Sequence, residues 1–392
     1  TEPASGELVL GMTPSLSSTL VEGLEALESH TFEDTVSILS RLLANLNAYL
    51  ALSDLGIEAP ELEVNMADLV DEGIQKLLAA QNYDGGWSWW VKAGSANTNS
   101  DVFITAYVLL GLDKAAEAGL DVGEGFIDRA VEYLSGRLPQ PGSIANSWDL
   151  DRLAFQVYAL RNRLVIADSM IDGLYARRSE LSPWALGLLG LTMREFEGMS
   201  EHVATLLADL EAMAIRSATG VHWESDRGSW LLPGTAGFNS AVAVFTLAQL
   251  DPASTSLSLG LQYLVNLRRS DGLWASTFES AWSLMAMTEA LKGTGDYQAK
   301  FNFHASLNDT MIAEGAADGM TPMNAVTATL PIDALFPDSP NALLIERDAG
   351  SGNLYYRVDL QTYQLADSAE AVNRGISLQR DYYLVDESCP EL

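Results

Sequence analysis

The sequence predicts a mainly α protein, an α/α toroid of about six helical hairpins inserted in a small antiparallel β-sandwich. Three observations carry this. Apolar residues recur at helical spacing through most of the chain, turns of the form Asp-Gly followed by Trp recur between helices, and the pattern changes to period two near residue 296. Helical spacing covers 15–29, 34–54, 61–81, 101–118, 124–137, 149–165, 169–178, 183–195, 200–215, 237–250, 256–269 and 278–292, about twelve helices. Pro14-Ser15, Ser182-Pro183 and Asp251-Pro252 mark helix boundaries.

The turns read Asp84-Gly85-Gly86-Trp87 and Asp271-Gly272-Leu273-Trp274, with a weaker copy at Ser225-Asp226-Arg227-Gly228-Ser229-Trp230. Asp-Gly supplies a turn with positive φ, and the following Trp fills the gap between neighbouring helix ends. Each turn leads into a helix that opens with small residues: Thr105-Ala106-Tyr107, Ser240-Ala241-Val242 and Ser280-Ala281-Trp282. Such a unit cannot bury its apolar face alone and must stack on its neighbours, which predicts a closed ring of alternating inner and outer helices.

Beyond residue 300, Phe301, Phe303 and Ala305 alternate with polar residues, and Asn308-Asp309 is a turn. Leu343–Arg347 and Leu354–Leu360 read as a hairpin with a long tip, Asp348 to Asn353. Glu7-Leu8-Val9-Leu10 is a lone strand too short to stand by itself; its natural partner is the C-terminal sheet. The expected division is 1–12 as the first strand of the β domain, 13–295 as the toroid, 296–372 as the sandwich, and 373–392 as a linker and the first strand of a following domain.

Composition removes several function classes. Lys+Arg number 22 and Asp+Glu 53, a net charge of -31, which repels phosphate backbones and anionic lipid, so no nucleic-acid partner is expected. Cys389 is the single cysteine, which excludes a disulfide framework and a Cys-x-x-Cys zinc site. The C-terminal Cys389-Pro390-Glu391-Leu392 lacks the aliphatic centre and upstream basic residues of a prenylation box. His30, His202, His222 and His304 are never three to five residues apart, so no helical metal pair, no EF-hand and no cofactor are expected. Opening on Thr1-Glu2-Pro3 suggests a piece of a longer chain.

Enzymes of terpene cyclisation and protein prenylation share Asp-Gly-x-Trp turns in toroids, so an enzyme acting on isoprenoid or glycan substrates is the alternative reading, and an adhesion or scaffold module a third. Such an enzyme needs an acid motif; the nearest here is Asp149-Leu150-Asp151 at a helix start, where acids serve the helix dipole. Trp87-Ser88-Trp89-Trp90 offers either a carbohydrate platform or a plug between helix ends.

In order along the chain, Gly6-Glu7-Leu8-Val9-Leu10 with Pro14-Ser15-Leu16, Ser40 to Leu46, Tyr83 to Trp90, Thr105 to Leu109 and Leu354 to Arg357 resemble the thioester domain and flanking CUB domain of bacterial alpha-2-macroglobulins, complement-like protease traps. The resemblance implies a secreted, periplasmic or cell-surface endopeptidase inhibitor rather than an enzyme, with proteases as partners and other envelope proteins as further ones. It also implies a thioester between a Cys and the Gln three residues on, in a Cys-x-Glu-Gln motif. Matched through Glu33, Thr35 and Ser37, Thr31 stands at the Cys position and Asp34 at the Gln position, with three extra residues before Leu42. Matched through Ser40-Arg41, Asp34 and Ser37 take those places. Neither register supplies the pair, so trapping is expected to be conformational and non-covalent.

Overall fold

The computed structural model describes residues 5–14, 16–29, 33–55, 72–90, 100–163, 166–225, 234–269, 271–294, 299–318 and 326–363. Among them the chain opens with strand β1 (Ser5–Thr13) and runs through α1 (Leu16–Glu28), α2 (Thr35–Leu55) and α3 (72–79). Then come α4 (Val102–Glu117), α5 (Glu124–Ser135), α6 (Ser147–Leu160), α7 (Asp168–Ala176), α8 (Pro183–Met193) and α9 (Ser200–Ala212). A small hairpin, β2 (Ile215–Ser217) and β3 (Gly220–His222), precedes α10 (Ala236–Leu250), α11 (Thr255–Leu267) and α12 (Thr277–Thr294). The chain ends in β4 (Lys300–Leu307), β5 (Thr310–Asp318), β6 (Val326–Pro331), β7 (Leu343–Arg347) and β8 (Tyr355–Tyr363).

The even-numbered helices form a closed ring: α2 packs on α4, α4 on α6, α6 on α8, α8 on α10, α10 on α12, and α12 back on α2. Their sequences explain the placement. Every residue of α8 is buried, as a helix apolar all round must be. The outer α9 buries only Leu206 and Leu210, and its Glu211 accepts from Ser254 Oγ and Ser256 Oγ at the start of α11. Close approach within the ring uses small residues: a Cβ on Gly187 of α8 would lie 2.5 Å from Thr246 Oγ1 of α10.

Five aromatic side chains of the inner helices meet at the axis. Phe103, Phe155, Trp184, Phe238 and Phe278, one from each of α4, α6, α8, α10 and α12, are all buried. Successive ring centroids lie 4.6, 6.2, 5.6 and 4.9 Å apart, and Phe278 closes the circle on Phe103 at 5.9 Å. These are the separations of offset and edge-to-face aromatic pairs.

The Trp turns bolt outer helices to inner ones through one repeated set of hydrogen bonds. The Trp87 indole donates to Leu77 O (2.7 Å) at the end of α3, and its backbone N–H donates to Thr105 Oγ1 (2.9 Å) in the first turn of α4. Trp274 does the same with Leu264 O of α11 (2.9 Å) and Ser280 Oγ of α12 (3.1 Å). The hydroxyls donate in turn to carbonyls four residues back, Thr105 to Asp101 O and Ser280 to Ser276 O. The weaker copy expected at Ser225 to Trp230 falls, after Ser225, outside the described residues. Trp223 makes the same junction, with bonds to Leu210 O of α9 (2.8 Å) and Ser240 Oγ of α10 (3.0 Å). Its turn is made by the β2–β3 hairpin, where Gly220 takes a φ of 124°, so no Asp-Gly pair announces it.

The strands form two three-stranded sheets, ordered β6-β1-β8 and β5-β4-β7, all pairs antiparallel. β1 is therefore the central strand of a sheet whose other members follow the helices. Leu10 and Met12 from β1 meet Phe301, Phe303 and Ala305 from β4 in the sandwich core. Asn308 and Asp309, with φ of 50° and 64°, make the tight β4–β5 turn. One expectation fails: β7 and β8 are not a hairpin, since β7 pairs with β4 and β8 with β1. Beyond β7 the chain stays beside β4, with Asp348 N bonded to Asn302 O and Lys300 N to Ser351 O, and so crosses to the opposite sheet.

Trp274→Ala should cost about 3–5 kcal/mol, the range for a large buried side chain. Thr105→Val keeps the shape but orphans the buried Trp87 N–H and should cost about 1–3 kcal/mol. Urea unfolding followed by helical circular dichroism measures both, and unchanged midpoints would contradict the junctions.

Candidate functional site at the mouth of the ring

The positions singled out by the family resemblance lie where the inner helices begin. Thr31 lies outside the described residues. Asp34 stands immediately before α2 and caps it: Ser37 N donates to Asp34 Oδ1 (2.9 Å), and Ser37 Oγ donates to Oδ2 (2.6 Å). Both carboxylate oxygens thus serve the helix start, where the macrodipole favours a negative charge. Ser37 Oγ also lies 3.3 Å from Thr277 Oγ1 at the start of α12, so this cap sits at the seam that closes the ring.

The Trp-rich segment is the wall of this site. Thr35 N donates to Trp89 O (3.1 Å) and Thr35 Oγ1 to Ser88 O (2.7 Å), so Asp34 and Trp90 form an isolated antiparallel bridge. Trp87 is buried in its junction, whereas Trp90 is 70% and Tyr83 98% exposed. The Asp84 turn is fixed beside it: Asp84 Oδ1 accepts from Gly86 N (3.2 Å) and from Ser100 Oγ (2.5 Å). Gly85 takes a φ of 88°, and a Cβ there would lie 2.5 Å from Arg129 O. Gly86 is equally confined, with Ser100 Cβ 2.5 Å from where its own would be. Glu33 points away and pairs with Lys76 Nζ at 2.8 Å; the lysine's hydrogen bond holds the Glu33 carboxyl below its ordinary range.

The second Asp-Gly turn lies elsewhere. Asp271 accepts from Leu273 N and pairs with Arg269, which lowers its pKa, while Gly272 (φ 85°) packs against Ala26 of α1. Trp274 links this turn to the mouth through Ser280 of α12. Two further buried acids lie there, Glu279 with no motif to announce it and Asp151 from the Asp149-Leu150-Asp151 run. Glu279 is buried in the first turn of α12, accepts from Thr235 Oγ1 at the start of α10, and has its pKa raised by burial. Asp151 is buried and accepts from Ser182 N (2.8 Å) at the start of α8. The signal is position rather than pattern: Asp34 and Glu279 fall at the starts of inner helices, where N–H groups lack partners, and Asp151 sits just past the first turn of α6.

Chemically, the mouth is a set of helix caps. Asp34 is a carboxylate with both oxygens engaged and a hydroxyl, not a thiol, beside it. Among the described residues no group of three or more His, Cys, Asp or Glu could hold a metal ion, and no helix is long and apolar enough to cross a membrane.

A six-helix inner ring carried on a sandwich by its own first strand defines the fold of the C-terminal region of alpha-2-macroglobulins. No protein-family model matches the chain. Its sequence is 27% identical over 305 residues to the alpha-2-macroglobulin of Escherichia coli, covering 76% of this chain and 18% of that protein. Its fold matches native E. coli alpha-2-macroglobulin from domain MG7 to the C-terminus with a TM-score of 0.60 and 18% identity, over 93% of this chain and 53% of that one. Salmonella alpha-2-macroglobulin reacted with methylamine matches with a TM-score of 0.61 and 20% identity, over 95% of this chain and 23% of that one. The chain spans less than a fifth of the length of its E. coli relative.

Asp34→Ala should destabilise the protein by about 0.5–2 kcal/mol, and Asp34→Asn, an equally good cap, by much less; equal losses in urea unfolding would show that the charge, not the cap, matters. Glu279 gives a pH signature. Its folded pKa is raised above the ordinary 4.5, so the folded state holds the proton more tightly and stability falls as pH rises through the interval between the two. Glu279→Gln should remove that slope, gaining on the wild type as pH climbs above 4.5. Parallel stability–pH curves would contradict the assignment.

Proposed function

We propose that this chain is the toroid and sandwich portion of an alpha-2-macroglobulin-like protease trap, an endopeptidase inhibitor that works without a thioester, by non-covalent conformational trapping. On this reading residues 1–12 and 296–372 form the sandwich, 13–295 the toroid, and 373–392 lead into a following domain. The whole protein acts outside the cytoplasm, as a secreted, periplasmic or cell-surface molecule, with proteases as its partners.

The observation that carries the reading is the engagement of Asp34. In a thioester, an amine attacks the acyl carbon, the cysteine thiolate leaves, and an amide remains. An ionised carboxylate repels the nucleophile and has no comparable leaving group. Asp34 moreover spends both oxygens on Ser37, and the only cysteine, Cys389, lies far along the sequence. The axis filled by five aromatic rings speaks for a structural toroid rather than one that receives an isoprenoid or glycan there.

Methylamine tests this directly. Intact mass should stay unchanged after treatment, and the full-length protein should form no covalent adduct with a protease that cleaves it. It should nonetheless shield that protease from protein-sized substrates more than from small peptides. An amine-dependent mass gain within residues 31–37 would overturn the non-covalent reading, and absence of shielding would overturn the trap itself.

A further inference from the structure

The sandwich is closed along one side and open along the other. β5 lies against β6, where a Cβ on Gly315 would come 3.0 Å from Val326 Cγ2. No comparable contact joins β7 to β8 among the described residues. The open side shows in β8 itself. Leu8, Leu10 and Met12 of β1 stand opposite Leu360, Val358 and Tyr356 of β8, and opposite residues share a face of the sheet. The β1 members are buried, whereas Tyr356, Val358 and Leu360 are 50%, 42% and 57% exposed. Three apolar side chains in a row on the core-facing side are thus left half-covered, which marks a contact surface rather than scattered exposure.

β8 is also an edge strand, with β1 as its only partner among the described residues. Natural edges are ordinarily blunted against further pairing. β6 ends in Pro331, β7 is five residues long, and β5 is bulged where Ala305 and Ser306 pair with Ala313 and Met311. β8 runs nine residues, Tyr355–Tyr363, without Pro, Gly or Lys. A strand added alongside it would pair its outer backbone edge and cover its apolar row together.

The sequence of β8 says which strand fits. Read outward from Val358, Tyr356-Arg357-Val358-Asp359-Leu360 is complementary to itself. In an antiparallel pair of identical strands centred there, Val358 meets its own copy, Tyr356 meets Leu360, and Arg357 meets Asp359. Apolar residues then face apolar ones and opposite charges face each other, the arrangement that stabilises cross-strand neighbours. Within one strand Arg357 and Asp359 already pair at 2.6 Å. In the doubled sheet the two pairs lie side by side with their signs alternating.

We propose that β8 is a contact between two copies of this chain, which join edge to edge at a two-fold axis through Val358 and make one six-stranded sheet. The surface is isologous, as a two-fold contact must be. The inference stands apart from protease trapping and from the mouth of the ring.

Each copy carries a net charge of -31, which opposes association at long range. The test is therefore made at about 0.15 M salt, where that repulsion is largely screened beyond about 8 Å. Sedimentation equilibrium of the 392-residue chain should show reversible, concentration-dependent conversion of monomer to dimer. Val358→Lys sets two like charges opposite each other at the axis and should weaken the dimer at least about tenfold. Arg357→Asp and Asp359→Arg each align like charges and should be monomeric alone. Mixed in equal amounts they should form a heterodimer, because two acids on one strand then face two arginines on the other. A wild-type chain that stays monomeric would overturn the proposal and leave the edge to another segment or partner. A dimer undiminished by Val358→Lys, or a mixture of folded charge variants that stays monomeric, would overturn it as well. The wild type and Val358→Lys decide the matter even if a charge variant does not fold.

Discussion

The structure depends on one interaction made three times: a tryptophan whose indole N–H holds the carbonyl end of an outer helix while its backbone N–H rests on a hydroxyl in the first turn of the next inner helix. Without it the outer helices would have only greasy contact with the ring, and their register along the inner helices would be loose. With it, α3 is fixed to α4, α9 to α10 and α11 to α12. A ring of six inner helices must also return on itself, and small errors in register accumulate around it. Directional bonds at three junctions, together with an aromatic circle along the axis, hold those errors down.

Closure has a consequence for the mouth. The first turns of the inner helices converge there, and each carries N–H groups with no helical partner. The chain meets this need with Asp34 before α2, Asp101 before α4, Asn146 before α6 and Thr235 before α10, while Asp151 of α6 accepts from Ser182 N just ahead of α8.

Much of this was legible in the sequence. Helical spacing marked the ring, and Asp-Gly before Trp87 and Trp274 marked two junctions, because positive φ and a large plug leave compositional traces. The third junction left none: Trp223 follows a β-hairpin turned by Gly220, and the hydroxyls of Thr105, Ser240 and Ser280 read as small residues rather than as acceptors. The crossing between β7 and β8 was hidden for a different reason. Two alternating segments around a Gly-rich link have the same local pattern whether they pair with each other or with strands from distant parts of the chain. The caps at the mouth were partly legible, since Asp34 and Ser37 have capping spacing; the buried Glu279 was not, because its partner Thr235 is 44 residues away.

The central claim is that the three tryptophan junctions hold the ring closed as one cooperative unit. Hydrogen exchange of the indole N–H groups measures this most directly. The account predicts that the indoles of Trp87, Trp223 and Trp274 exchange together, only through global unfolding, and orders of magnitude more slowly than that of the exposed Trp90. Exchange of any of the three at a rate near that of Trp90, or at three unrelated free energies, would contradict it.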